Sequence, residues 1–86
     1  MKIIKIGAIW CSACLKMNNY YSKLQEEFPN LEIISYDIDF DEEEAKKYPT
    51  KDVLPALFFY QDDKLITRLD GEKTYDEIKE ILNKME

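Results

Sequence analysis

Two cysteines separated by two residues, in the run Trp10-Cys11-Ser12-Ala13-Cys14, are the side chains of this 86-residue sequence best equipped for chemistry. Thiols at that spacing can close a disulfide, or open one by exchange with a disulfide elsewhere. A crosslink across so short a loop removes little entropy from the unfolded chain, so a structural staple explains the pair poorly and reactivity explains it better. Zinc takes four Cys, His or carboxylate ligands, and the chain has no histidine and only these two cysteines, so a closed zinc site would need a second chain. The acidic run Asp41 to Glu44 lacks the alternating oxygen ligands of a calcium loop and reads as a helix start with a solvated face. No metal, nucleotide or flavin is expected.

Such a pair works only if something positions it. Residues 2 to 7 are Ile-rich with few polar positions, which suits a strand covered on both faces, and Gly7-Ala8 leads out of it. From Cys11 to about Phe28, the residues Cys14, Met17, Tyr21, Leu24 and Phe28 recur at spacings of three and four, which predicts a helix. The motif therefore falls where a strand hands over to a helix, with Cys11 in or just before the first turn. Free amide N–H groups and the helix dipole there stabilise a thiolate, and in C-x-x-C motifs the thiol pKa falls from about 8.5 to roughly 3.5–7.5. Cys11 is the expected nucleophile. Cys14, one turn along and expected to be less accessible, is placed to resolve the mixed disulfide that Cys11 would form.

The rest of the chain supplies the scaffold. Pro29-Asn30 stops the helix and Leu31 to Asp37 reads as a second strand. Asp41, with Glu44 in the capping-box position, starts a short helix that Tyr48-Pro49 closes. Pro55 to Tyr60 and Lys64 to Leu69 read as a hairpin turning at Gln61-Asp62-Asp63, ended by Asp70-Gly71. Thr74 and Glu77 form another capping box, ahead of an apolar helix face at Ile78, Ile81, Leu82 and Met85. The order is β-α-β-α-β-β-α, an α/β chain with a four-stranded mixed sheet flanked by helices. Helical crossovers would make strands one, two and three mutually parallel, with the last antiparallel.

Composition sets the outer bounds. A single domain over 1–86 is expected, with 45% hydrophobic and 13% aromatic residues to build its core. Eighteen acidic against twelve basic residues give a net charge of −6, which opposes nucleic-acid phosphates and anionic membranes. No stretch approaches the ~18 apolar residues of a membrane span. A secretory leader would have to overlap the motif, so a cytoplasmic protein is expected.

Trp10-Cys11-Ser12-Ala13-Cys14, followed much later by Val53-Leu54-Pro55-Ala56, resembles the thioredoxin family, and in element order the resemblance spans essentially the whole chain. It implies a cis Leu54–Pro55 bond, with Pro55 against the disulfide and Trp10, Leu54 and Pro55 bordering a groove for an extended substrate. It also implies a monomer that exchanges disulfides with protein substrates and draws electrons from a separate reductase or small thiol. The sequence departs from the family in its length, which matches the smaller glutaredoxin-sized fold, and in Ser12-Ala13, which replaces Gly-Pro. Lys5 stands where the family has a buried aspartate, and Ser35 where it has a lysine. Lys5 cannot act as a carboxylate. Its ammonium either favours thiolates and raises the reduction potential or extends to the sheet edge and does neither. Two other readings are a glutathione-dependent, glutaredoxin-like enzyme and a non-catalytic binding or redox-sensing module. As packing alone, Trp10 is a half-buried aromatic, Pro55 an ordinary strand-start proline, and Met17, Tyr20, Tyr21 and Phe58-Phe59-Tyr60 core and surface contacts.

Overall fold

The computed structural model describes residues 1–85. The Ile-rich segment forms β1 (Lys2–Gly7), and the helical periodicity gives α1 (Ser12–Glu27). After them come β2 (Glu32–Asp37), the one-turn α2 (Glu42–Ala45), β3 (Ala56–Gln61), β4 (Lys64–Asp70) and α3 (Tyr75–Met85). The sheet order is β2-β1-β3-β4, so β1 lies inside the sheet with a neighbour on each side.

β1 pairs parallel with β2, with Lys5 opposite Ser35, and antiparallel with β3, with Ile6 opposite Ala56. The third strand is thus antiparallel to the first, not parallel as the crossover argument expects. After β2 the chain passes through α2 and the segment to Pro55 without returning to the far end of the sheet, and β3 starts beside Ile6, next to where β2 stops.

Alternation along β1 divides the core in two. Ile3, with Leu57 and Phe59 of β3, faces Met17, Tyr21 and Leu24 of α1 and Ile78 and Leu82 of α3. Ile4 and Ile6, with Ala56 and Phe58, face Ala45 of α2 and the partly buried Tyr36, Tyr48 and Tyr60. Among the described residues no helix is long and apolar enough to cross a membrane.

The turn chemistry is mostly as the sequence implies. Asp62 and Asp63 have φ of 50° and 66°, the paired left-handed conformation of a two-residue hairpin turn that matches strand twist. Thr74 Oγ1 accepts from Glu77 N at 3.2 Å while Glu77 Oε2 accepts from Thr74 N at 3.0 Å, a reciprocal cap contributing ~1 kcal/mol. The cap expected at α2 does not form. Asp41 occupies the N-cap position but its Oδ2 accepts from Asp37 N at 2.9 Å, and Glu44 pairs with Lys47. The Asp41 carboxylate closes the end of β2 instead, because that backbone N–H has no strand partner to donate to.

Opposite the start of β3, Arg68 lies over the Phe58 ring, 4.6 Å from its centroid, and grips Asp70 with two hydrogen bonds of 2.6 and 3.0 Å. These bonds hold the Asp70 carboxyl below the usual carboxylate range. A depressed folded-state pKa contributes stability above the unfolded value of about 3.9, and that contribution disappears as pH falls through the lower folded value. Asp70→Asn is expected to lose ~1 kcal/mol in urea unfolding at neutral pH. The deficit should shrink as the wild-type carboxyl protonates, and an equal deficit at neutral and strongly acidic pH would show that the charge contributes nothing.

Candidate active site

Helix α1 begins on a sulfur. Cys11 is its N-cap, with extended backbone (φ −85°, ψ 110°), and its Sγ accepts a hydrogen bond from Cys14 N at 3.1 Å. A helix start leaves unpartnered N–H groups, and here one of them points at the first cysteine, as a thiolate would require. Cys11 and Cys14 form a disulfide with Cα atoms 5.3 Å apart. Cys14 also presses on β1: a Cβ at Gly7 would lie 3.2 Å from the Cys14 Sγ, so the glycine makes room for that sulfur.

The two cysteines are not exposed in the expected order. Cys11 is only 7% exposed, and Cys14 is half-buried rather than the more hidden of the pair. The cap accounts for this, because it folds the Cys11 sulfur back over the first turn while Cys14 opens on a groove of about 280 Å³. Lys5, Asn18, Ser35, Asp37, Asp41 and Pro55 also line that groove.

Lys5 points along the inner side of α1. Its Nζ lies 3.5 Å from Asn18 Oδ1 and 4.0 Å from the Tyr21 ring centroid, and burial lowers its pKa from the ordinary lysine value. Burial likewise raises the pKa of the Tyr21 hydroxyl, with Tyr20 adding to the shift. The Leu54–Pro55 bond is cis, Pro55 is buried, and its carbonyl accepts from Gly71 N at 2.9 Å. Leu54 does not reach the groove and packs with the Ile4, Ile6 and Phe58 cluster.

Trp10 is 67% exposed, more open than a half-buried aromatic, and it sits outside the groove. Its Nε1–H donates to Asp39 Oδ2 at 2.8 Å. Asp39 is a residue beside the motif that sequence reasoning missed. The loop holding it is built by Asp37, whose Oδ1 accepts from Asp39 N at 2.7 Å and from Phe40 N at 3.1 Å. The signal was present as aspartates at alternate positions 37, 39 and 41, since such side chains fold back on their own backbone in turns. Ile9, Leu15, Phe40 and Val53 are also exposed, which leaves apolar side chains on the segments that flank the disulfide.

A mixed sheet with a Cys-x-x-Cys pair opening its first helix and a cis-proline leading into its third strand defines a thioredoxin fold equipped for dithiol–disulfide exchange. The Thioredoxin family model matches residues 1–84, and the chain belongs to the thioredoxin family. A thioredoxin of Chlamydia trachomatis serovar D is 28% identical over 82 residues, covering 95% of this chain and 79% of its own length. The X-ray structure of Fasciola hepatica thioredoxin superposes with a TM-score of 0.87 at 26% identity, over 99% of this chain and 80% of that one. Oxidised mitochondrial thioredoxin 3 of Saccharomyces cerevisiae, at 22% identity, shares the fold with a TM-score of 0.84 over 96% of this chain and 76% of its own. Family and cysteine pair together make this chain a thiol-disulfide oxidoreductase in the general sense.

The single tryptophan gives a direct test of the Asp39 contact. Asp39→Ala is expected to free the indole, lowering the steady-state fluorescence anisotropy of Trp10, while stability changes by less than ~0.5 kcal/mol, as for other exposed sites. Unchanged anisotropy would mean that Asp39 does not hold the ring.

Proposed function

We propose that this chain exchanges its Cys11–Cys14 dithiol or disulfide with disulfides in protein substrates, Cys11 acting as nucleophile and Cys14 as resolving thiol. The observation that carries this reading is the position of Cys11 as the N-cap of α1, its sulfur taking the Cys14 N–H. That N–H and the positive end of the helix dipole favour negative charge on Cys11 over Cys14, which lies a turn further in. In the forward direction the Cys11 thiolate attacks one sulfur of the substrate disulfide and expels the other as a thiolate. Cys14, once deprotonated, attacks the Cys11 sulfur and releases the second substrate sulfur. The reduced substrate leaves with two electrons, and a separate reductase or small thiol restores the dithiol.

Access to the sulfur bears on the substrate. With 7% of Cys11 exposed, an extended segment lying along Pro55 can approach it where a broad convex surface cannot. The cis Leu54–Pro55 bond borders that approach, and Trp10 stands beside it with its ring held outward by Asp39. A glutathione-dependent reading is less well supported. Among the described residues Lys5 is the only cation lining the groove, and it shares the groove with Asp37 and Asp41, a poor setting for a tripeptide with two carboxylates.

The test is disulfide reduction in a protein substrate such as insulin, with dithiothreitol as electron donor. Cys11→Ser is expected to fall to the uncatalysed rate. Cys14→Ser should accumulate a mixed disulfide with the substrate that excess dithiothreitol releases. Activity that persists in Cys11→Ser would overturn the assignment of roles, and partner capture that survives replacement of both cysteines would favour a binding module.

A further inference from the structure

We propose that Lys5 is the charge partner of Cys14 in the reduced protein, and that it shifts the redox equilibrium of the pair towards the dithiol. The inference rests on the redox reading above and adds to it the group that sets its poise.

Two rows of side chains meet here. On α1, Cys14, Asn18 and Tyr21 are spaced four and three apart, so they lie in one stripe along the helix. Lys5 lies beneath that stripe, in contact with its second and third members at 3.5 Å and 4.0 Å. Its first member, Cys14, is one turn or ~5 Å further along. On β1, Gly7 is two residues from Lys5 and shares its face, and the missing Cβ of Gly7 is what lets the Cys14 sulfur settle on the strand. Lys5 and Cys14 then open on the same groove.

The charges around Lys5 leave the cysteine as its natural counter-ion. From α1 it meets Tyr21, whose hydroxyl burial keeps neutral. From β2 and the loop after it the groove receives Ser35, Tyr36, Asp37 and Asp41. One oxygen of each carboxylate accepts from backbone, Asp41 Oδ2 from the Asp37 N–H and Asp37 Oδ1 from the N–H groups of Asp39 and Phe40, and neither carboxylate forms an ion pair with Lys5. From β3 it faces the apolar Leu57 in register. Among the described residues Lys5 is in no ion pair.

The sign of the effect follows. In the disulfide form Lys5 is an ammonium short of water with a neutral sulfur nearby, and reduction places a potential anion beside it. Attraction to a Cys14 thiolate stabilises the reduced state, lowers that thiol's pKa and raises the reduction potential. The same charge assists resolution. The Cys14 proton leaves to water in the open groove, its thiolate forms the new S–S bond to Cys11, and the Cys11–substrate bond breaks with its electron pair on the substrate sulfur. Lys5 remains protonated throughout and acts as a positioning charge.

The experiment is a glutathione redox titration of the intact chain, read by Trp10 fluorescence, alongside thiolate absorbance against pH. Lys5→Met is expected to lower the equilibrium constant for reduction three- to tenfold, about 15–30 mV at roughly 30 mV per tenfold. It should also move the second thiol titration to higher pH, and Lys5→Arg should restore both. An equilibrium constant and thiol titration unchanged in Lys5→Met would overturn the inference while leaving the redox reading intact. A wild-type chain with no reversible transition would overturn both. Should Lys5→Met fail to fold, the Lys5 side-chain NMR signal of the wild type decides: a shift on reduction is expected, and none would overturn the proposal.

Discussion

The register of β1 is the constraint on which the active end depends. Its isoleucines Ile3, Ile4 and Ile6 are 0%, 1% and 0% exposed, so the strand is buried on both faces at those positions, and each contributes ~2 kcal/mol of apolar burial. The side-chain period of a strand is two, so a slip of one residue would exchange the faces. Lys5 and Gly7 would then turn into the Ile4 and Ile6 cluster, where a lysine has no solvent to reach and a glycine leaves a void. The hydrophobic pattern thus decides which face carries the groove, although none of these three isoleucines lines it.

Other elements converge on the same end because the sheet leaves them little choice. Met17 and Leu24, both 0% exposed, fix the rotation of α1 and so aim the stripe of Cys14, Asn18 and Tyr21 at β1. β3 starts opposite Ile6, which brings Pro55 to the end where Cys11 caps the helix. The link from Gly71 N to the Pro55 carbonyl, with the Arg68 and Asp70 pair beside it, holds that proline from the β4 side. The disulfide therefore sits among three element ends, each anchored by core contacts some distance from it.

What the sequence made legible was local chemistry. The cysteine spacing, the Thr74 and Glu77 cap, the hairpin aspartates and the strand of isoleucines each depend on residues a few positions apart. Strand direction was not legible, because the short helix was foreseen but nothing local in the sequence says at which end of the sheet the segment between α2 and Pro55 delivers the chain. The exposure of the cysteines escaped for a related reason, since C-x-x-C spacing does not say which sulfur the first turn covers. Leu54 was assigned to the groove by its neighbour Pro55, but its side chain packs, partly buried, against the Ile4, Ile6 and Phe58 cluster. The contact of Trp10 with Asp39 bridges 29 positions and becomes visible only once the loop after β2 is folded.

The same loop sets two carboxylates beside the one ammonium that lines the groove among the described residues. At a net charge of −6, the average field around this protein favours protons and cations and opposes a thiolate. The field at the sulfur, however, is set by groups within a few ångströms, because more distant exposed charges are screened by salt within about 10 Å. Asp37 and Asp41 line the groove, and one oxygen of each accepts from backbone N–H groups, which fixes the carboxylates in place without removing their charge. The positive groups at the site, among the described residues, are the Lys5 ammonium in the groove with Cys14 and the helix N-terminus at Cys11. The loop aspartates thus hold Asp39 against Trp10 at the rim, and the Lys5 ammonium is the group in the groove that opposes their charge where a thiolate must form.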